Sequence, residues 1–375
     1  MRRFISLIHR YVGLIMAIFL LIAGLTGAIL VWYHELDTVI NPQWMRVQPP
    51  SPDAQPLSYF VLHEQVQARY PEAWINYINL NNRPGEAVVF SLAGAIDPGT
   101  GQPIDLPNDE IFLDPYTGAV LGERKWGAIT QGWHNFLPFI YKLHYALALD
   151  QLGMLLMGIV AVLWTIDCFV GAYLTFPTSL RKQPCIGGEN TIRKSWWKRW
   201  WPAWKVRWQG GRYKLNFDLH RAGGLWPWAI LFVLAWSSVA FNLKEVYHPV
   251  MQALFTMQPD PEEVIPKLPE VQIKPGMSWP AALQIGRYLM TDLSQIKGFS
   301  IRYENNLGYN PYTGVFRYQV LSNLDIGDQY AGTNVYFDSY TGKQVGFYLP
   351  RGETSGDTIT LVDDLAYSQC LGYTF

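Results

Sequence analysis

From Tyr11 to Trp32 the chain runs for 22 positions without one charged side chain. At 1.5 Å per helical residue this is about 33 Å, enough to cross a bilayer's hydrocarbon core. Lipid offers no partner to a backbone N–H or C=O, so such a run has to satisfy its own polar groups as a helix. A second run, Leu152 to Phe176, is broken only by Asp167, and a third covers Ala222 to Leu243. Three spans are expected, at 11–33, 144–176 and 220–245. The first is too long for a typical signal-peptide core and no small-residue cleavage site follows it, so it is expected to remain as an anchor.

The spans leave much of the chain to be placed. With 375 residues, 49% hydrophobic, 16 Trp and a net charge of -1, the composition belongs neither to a purely soluble protein nor to a purely membranous one. Arg2, Arg3 and Arg10 crowd the short N-terminus, and ten basic residues against one acid, Glu189, lie between Pro177 and Leu215. By the positive-inside rule residues 1–10 and 177–219 are cytoplasmic. Segments 34–143 and 246–360 then lie outside, which in a bacterial inner membrane means the periplasm. Cys168, Cys185 and Cys370 fall in three different compartments on this topology, so neither a disulfide framework nor an iron–sulfur site is expected.

Each outer segment reads as a small α+β module. In the first, "LSYFVLHEQVQARYPEAW" suits an amphipathic helix and "EAVVFSLAG" and "EIFLDPYTGAVLG" suit strands. In the second, "WPAALQIGRYLM" suits a helix, followed by strands in "FSIRYE", "FRYQVLS" and "NVYFDSYTGKQVGFYL". The tag D-x-Y-T-G stands at Asp114–Gly118 and Asp338–Gly342, with "NPYTG" at Asn310–Gly314. Its glycine and leading Asp or Asn are hairpin chemistry, so these residues are read as turn formers rather than ligands. In the inner loop Trp197, Trp201, Trp204 and Trp208 recur at helical spacing among Lys and Arg, as an aromatic-basic helix in the lipid headgroups would. Membrane lipid is the expected partner there, and no nucleic acid.

Of seven histidines only His63 lies well away from a membrane boundary. His9 and His220 open the first and third spans from the inner face, each within the pattern H-R-x-x-G that ends at Gly13 and Gly224. His144 opens the second span from the outer face, with His34, His134 and His248 at the same general level. A lone boundary histidine is usually hydrogen-bonded scaffolding. Two at equal depth on facing helices can instead ligate one metal, and bis-histidine ligation of b-type haem needs that geometry together with small residues that admit the ring. Arg10 and Arg221 could bind haem propionates bidentately. Zinc is disfavoured, since no H-E-x-x-H or cysteine pair accompanies these residues. Asp167, an acid inside a span, is a candidate for proton movement or for holding a neighbouring group. No Walker loop, G-x-G-x-x-G or G-x-S-x-G occurs.

The segments "LIHRYVGLIMAIFLLIAGLTGAIL", "FIYKLHYALALDQLG" with "WTIDCFVGAYLTFP", and "FDLHRAGGLW" with "FNLKEVYHPV", joined by the two D-x-Y-T-G modules, resemble the PepSY-associated transmembrane-helix family, in particular its ferric-siderophore reductase branch. The resemblance implies a four-helix core holding two b-type haems, periplasmic PepSY-like modules, and electrons passed outward to iron in a siderophore; a quinol or a flavoprotein is the expected donor. It implies haem-iron ligation by His9, His144 and His220; His34, His134 and His248 stand outside the family's motif and are spare outer candidates, and one to two haems per chain are expected. A fourth span led by "W-L-x-x-L-H" would be expected after the second module, yet the chain reads "DTITLVDDLAYSQCLGYTF". Codons possible for Leu361 to Phe375, shifted one base, permit W-L-T-T-L-H-T-A-N-V-W-G-I-P-F. The tail 361–375 is therefore expected to be a frameshifted fourth span. The other readings are a non-enzymatic, membrane-tethered PepSY sensor or peptidase regulator, and a haem or metal transporter.

Overall fold

A computed structural model of the protein describes residues 1–97, 103–178, 195–259, 261–325, 327 and 331–350. Cys185, Cys370, four of the ten inner-loop basic residues and the 361–375 tail lie outside the described residues.

The chain opens with helices α1 (Arg2–Leu30), α2 (Tyr33–Ile40), α3 (Pro42–Met45) and α4 (Tyr59–Arg69). Strands β1 (Ala73–Ile75), β2 (Tyr77–Asn79), β3 (Val88–Gly94), β4 (Glu110–Leu113) and β5 (Val120–Arg124) follow. Next come α5 (Phe136–Ala146), α6 (Asp150–Thr175), α7 (Trp196–Trp200), α8 (Arg212–Leu225), α9 (Trp228–Asn242) and α10 (Lys244–Leu254). Last are α11 (Pro261–Val264), α12 (Trp279–Lys297), β6 (Ile301–Asn310), β7 (Val315–Ser322), β8 (Thr333–Asp338) and β9 (Gln344–Tyr348). The chain divides into two compact units, Met1–Leu25 with Tyr145–Pro249 and Thr26–His144 with Val250–Phe375.

The first unit is helical. α1 and α6 are each long and apolar enough to cross a membrane. The third expected span is not one straight helix: α8 and α9 meet at a bend of 67°. The cause is Pro227, which has no N–H to continue the ladder from α8 and serves as the N-cap of α9. The second span also starts later than expected. Leu147, Ala148 and Asp150 take left-handed φ values of 52°, 55° and 50°, which ends α5 at Ala146 and starts α6 at Asp150. Gly153 makes this reversal possible, because a Cβ there would lie 1.6 Å from the Ala146 carbonyl oxygen.

The expected aromatic helix is interrupted too. α7 is five residues long, a 3-10 turn covers Trp201–Trp204, and the backbone is extended at Lys205. Pro202 ends the α-helical ladder, so the four tryptophans do not share one helical stripe. Trp200 instead packs on Phe176, Trp196, Trp197 and Trp204, while Trp197, Trp201 and Trp208 stay exposed.

The second unit carries two antiparallel sheets, ordered β1-β3-β4-β5 and β2-β6-β7-β8-β9. The strand-forming stretch 73–79 is divided between them at Asn76: β1 pairs with β3 and β2 pairs with β6. α4 lays Leu62 and Val66 on the first sheet, and α12 lays Leu283, Met290 and Leu293 on the second. Alternate β3 positions are buried, as a one-faced strand requires. The D-x-Y-T-G tags are turns, as read. Asp114 Oδ1 accepts the Tyr116 N–H at 2.7 Å, Asp338 Oδ1 accepts the Thr341 N–H at 2.7 Å, and Gly118 and Gly342 supply φ of 73° and 68°.

One ionic cluster in this unit had no sequence signal. Arg124 lies between Asp37 and Glu110, its guanidinium donating to both carboxylates and to the His134 carbonyl. All three side chains are at most 6% exposed.

Candidate functional site

α1 and α6 are joined near one end by Arg2, whose Nη2 donates to the carbonyls of Leu174 and Phe176 at 2.6 and 2.7 Å. These are carbonyls the helix end leaves unpaired, and a cation is favoured there. His9 follows Arg2 by seven residues and Asp167 precedes Leu174 by seven, two turns along each helix. The clamp therefore sets a register in which the two meet: His9 Nδ1 lies 2.8 Å from Asp167 Oδ1. A carboxylate only accepts, so the imidazole donates Nδ1–H and keeps its lone pair on Nε2. Gly171, one turn beyond Asp167, lies against the ring: a Cβ there would sit 3.4 Å from His9 Cε1, an ordinary contact.

His220 reaches the same place from α8. Its ring centroid is 6.0 Å from that of His9, with the planes inclined at 54°. α8 is held by Asp218, a buried residue that accepts from Arg207 Nε at 2.6 Å and Arg221 Nη2 at 2.8 Å. Arg221 Nη2 also donates to the Pro202 carbonyl at 2.9 Å, so this arginine ties α8 to the preceding loop. Its Nε is buried without a hydrogen-bond partner. Arg10 is exposed beside the Tyr11 ring.

Two imidazoles at this separation suit one metal ion between their nitrogens, given bonds of roughly 2 Å each plus the half-width of each ring. A Cβ added at Gly13, Gly223 or Gly224 would meet no heavy atom within 4 Å, so the glycines of both H-R-x-x-G patterns stand beside open space. The donor set therefore fits the expectation of haem between His9 and His220. Among the described residues no group of three His, Cys, Asp or Glu side chains is placed to hold a metal ion.

Of the remaining candidates His34, His134 and His144 fall in the other unit, and His248 lies near the end of the first. His144 sits on α5, not on the spanning helix, with Nδ1 2.9 Å from the buried Thr26 hydroxyl. Gly27 admits it, a Cβ there lying 3.1 Å from His144 Cε1. His34 Nε2 contacts Glu86 at 2.9 Å, the His134 ring packs 4.8 Å from Trp44, and His248 neighbours Tyr247 on α10. His134 has a lowered pKa, chiefly through burial and then through the charge of Arg124. His63, a buried residue of α4, packs on Trp279, and burial alone lowers its pKa to about 4. The structure thus brings His9, His220 and Asp167 together. Thr26, Gly27 and Gly171 complete the contacts, and as small residues in apolar runs they carried no signal of their own.

A profile of the family described as "PepSY-associated TM region" matches residues 6–336, most of the chain. The protein belongs to this family and is a membrane protein with apolar helices and a sheet-bearing region. No curated protein matches it.

Proposed function

We propose that the protein is a haem-b oxidoreductase of a bacterial inner membrane that reduces siderophore-bound Fe(III) to Fe(II) on the periplasmic side. The observation that carries the reading is the His9–His220 pair, 6.0 Å apart, with Asp167 holding one imidazole by its outer nitrogen. His9 and His220 would hold the haem, and exposed Arg10 is placed one residue away to meet a propionate at the interface. Bound haem supplies reversible one-electron chemistry, while the chain supplies ligands, burial and docking. His144, fixed against Thr26, would serve the outer side, and the α+β modules would be the periplasmic PepSY-like domains. With N-terminus inside, the donor is a cytoplasmic flavoprotein or a membrane quinol. Reduction releases the metal because hard oxygen donors hold Fe(III) far more tightly than Fe(II).

The test is a dithionite-reduced minus oxidised visible spectrum of the detergent-purified protein, with haem counted per chain. A low-spin b-type spectrum lost in His9→Ala and in His220→Ala is expected. Folded wild-type protein that takes up no haem would overturn the reading and favour a tethered PepSY sensor or peptidase-regulating module.

A further inference from the structure

We infer that Asp167 is the positioning residue of the His9 site, fixing the tautomer and orientation of the imidazole and, through its charge, lowering the reduction potential of the iron bound there. The potential rests on the haem reading; the positioning does not.

An acid inside an apolar span is costly unless it is paired or functional. Among the described hydrogen bonds the Asp167 carboxylate has one partner, the His9 imidazole on a different helix. Only 13% of its side chain is exposed, so water screens this contact weakly. Gly171 lies on the same face of α6, four residues on, and the His9 ring approaches it closely, a Cβ there falling 3.4 Å from His9 Cε1. The Arg2 clamp sets the helix register two turns away, so the contact does not depend on one flexible side chain.

A carboxylate on Nδ1–H has two consequences for a ligand bound through Nε2. It removes the alternative tautomer, in which Nε2 would carry the proton and could not ligate. It also makes the imidazole more basic, which favours the more highly charged Fe(III) state. Both effects disappear in different ways on substitution. Asp167→Asn keeps an acceptor of the same shape without the charge, and Asp167→Ala removes the acceptor as well.

The experiment uses the full-length protein in detergent, in a His144→Ala background, titrated with hemin. Asp167→Asn should still take up haem but shift its reduction equilibrium about tenfold toward Fe(II), 59 mV for a one-electron couple. Asp167→Ala should weaken haem binding by about 10–100-fold, and Asp167→Glu, which restores the charge, should return the potential toward that of the parent. Midpoint and affinity unchanged in both Asn and Ala variants would overturn the inference. If the parent takes up no haem, the functional reading fails and ¹⁵N-histidine spectra decide the positioning separately, with the His9 signals assigned by their loss in His9→Gln. A single Nδ1–H tautomer that becomes a mixture in Asp167→Ala supports it, and an identical spectrum in both overturns it.

Discussion

Replacing Arg124 with Met keeps most of the side chain's bulk and removes its charge from between two buried carboxylates. Four hydrogen bonds go with it: Nε to Glu110 Oε2 at 2.5 Å, Nη1 to Asp37 Oδ1 at 3.2 Å and to the His134 carbonyl at 2.8 Å, and Nη2 to Asp37 Oδ2 at 3.0 Å. Asp37 and Glu110 are 1% and 6% exposed and cannot recover that solvation from water. Removing one partner of a buried ion pair costs about 3–5 kcal/mol. At roughly 2–4 °C per kcal/mol for a unit of this size, the melting temperature followed by circular dichroism should fall by about 6–20 °C. The penalty should depend on pH. Burial already raises the Glu110 pKa, with Arg124 the main counterweight, so in the variant it rises further. A carboxyl whose folded pKa exceeds its unfolded one binds more protons when folded, and stability then increases as pH falls. The variant should therefore regain part of its deficit between pH 7 and pH 5. Adding Asp37→Asn and Glu110→Gln to Arg124→Met should do the same at neutral pH. A loss under about 1 kcal/mol, or a deficit independent of pH, would refute the reasoning.

His63 offers an opposite pH response. Its folded pKa of about 4 lies below the ordinary 6.5, so the unfolded chain binds the extra proton and stability falls as pH drops from about 6.5 to about 4. Full loss of this contribution is about 3 kcal/mol, and unfolding measured across that window should lose this component in His63→Leu; an unaltered pH profile would contradict the burial argument. At the His9 site, Gly171→Ala should be tolerated and keep haem, because its Cβ comes to ordinary contact at 3.4 Å. Gly171→Leu should displace the His9 ring and lose haem at an unchanged fold, and full haem content in that variant would show that the ring's close approach to Gly171 is not needed.

Much of the architecture was legible because apolar runs, turn chemistry and strand alternation are local. The long uncharged stretches became α1 and α6, "LSYFVLHEQVQARY" became α4, and the D-x-Y-T-G tags became hairpin turns. The left-handed reversal at Leu147–Asp150 was not legible, since no glycine occupies those positions and the conformation is imposed by the surroundings. Pro227 stands inside the expected third span, 220–245, and divides it into two helices. At the site, the two H-R-x-x-G patterns suggested that His9 and His220 belong together. That Asp167 meets His9 could not be read, because their 158-residue separation is closed by helix register alone. Arg124, Asp37 and Glu110 were likewise ordinary charges in sequence until β4 and β5 placed them beside α2.

The division of residues 73–79 at Asn76 bears on how the two α+β modules can be handled. A peptide containing only the stretch from α12 to β9 would lack β2, leaving the Asn306–Gly308 edge of β6 without its neighbour and open to pairing with another copy. The first module's chain is thus a structural part of the second. The repeats are not interchangeable cassettes that could be excised or shuffled, and a trimmed version of this protein has to carry that seven-residue stretch to keep both sheets complete.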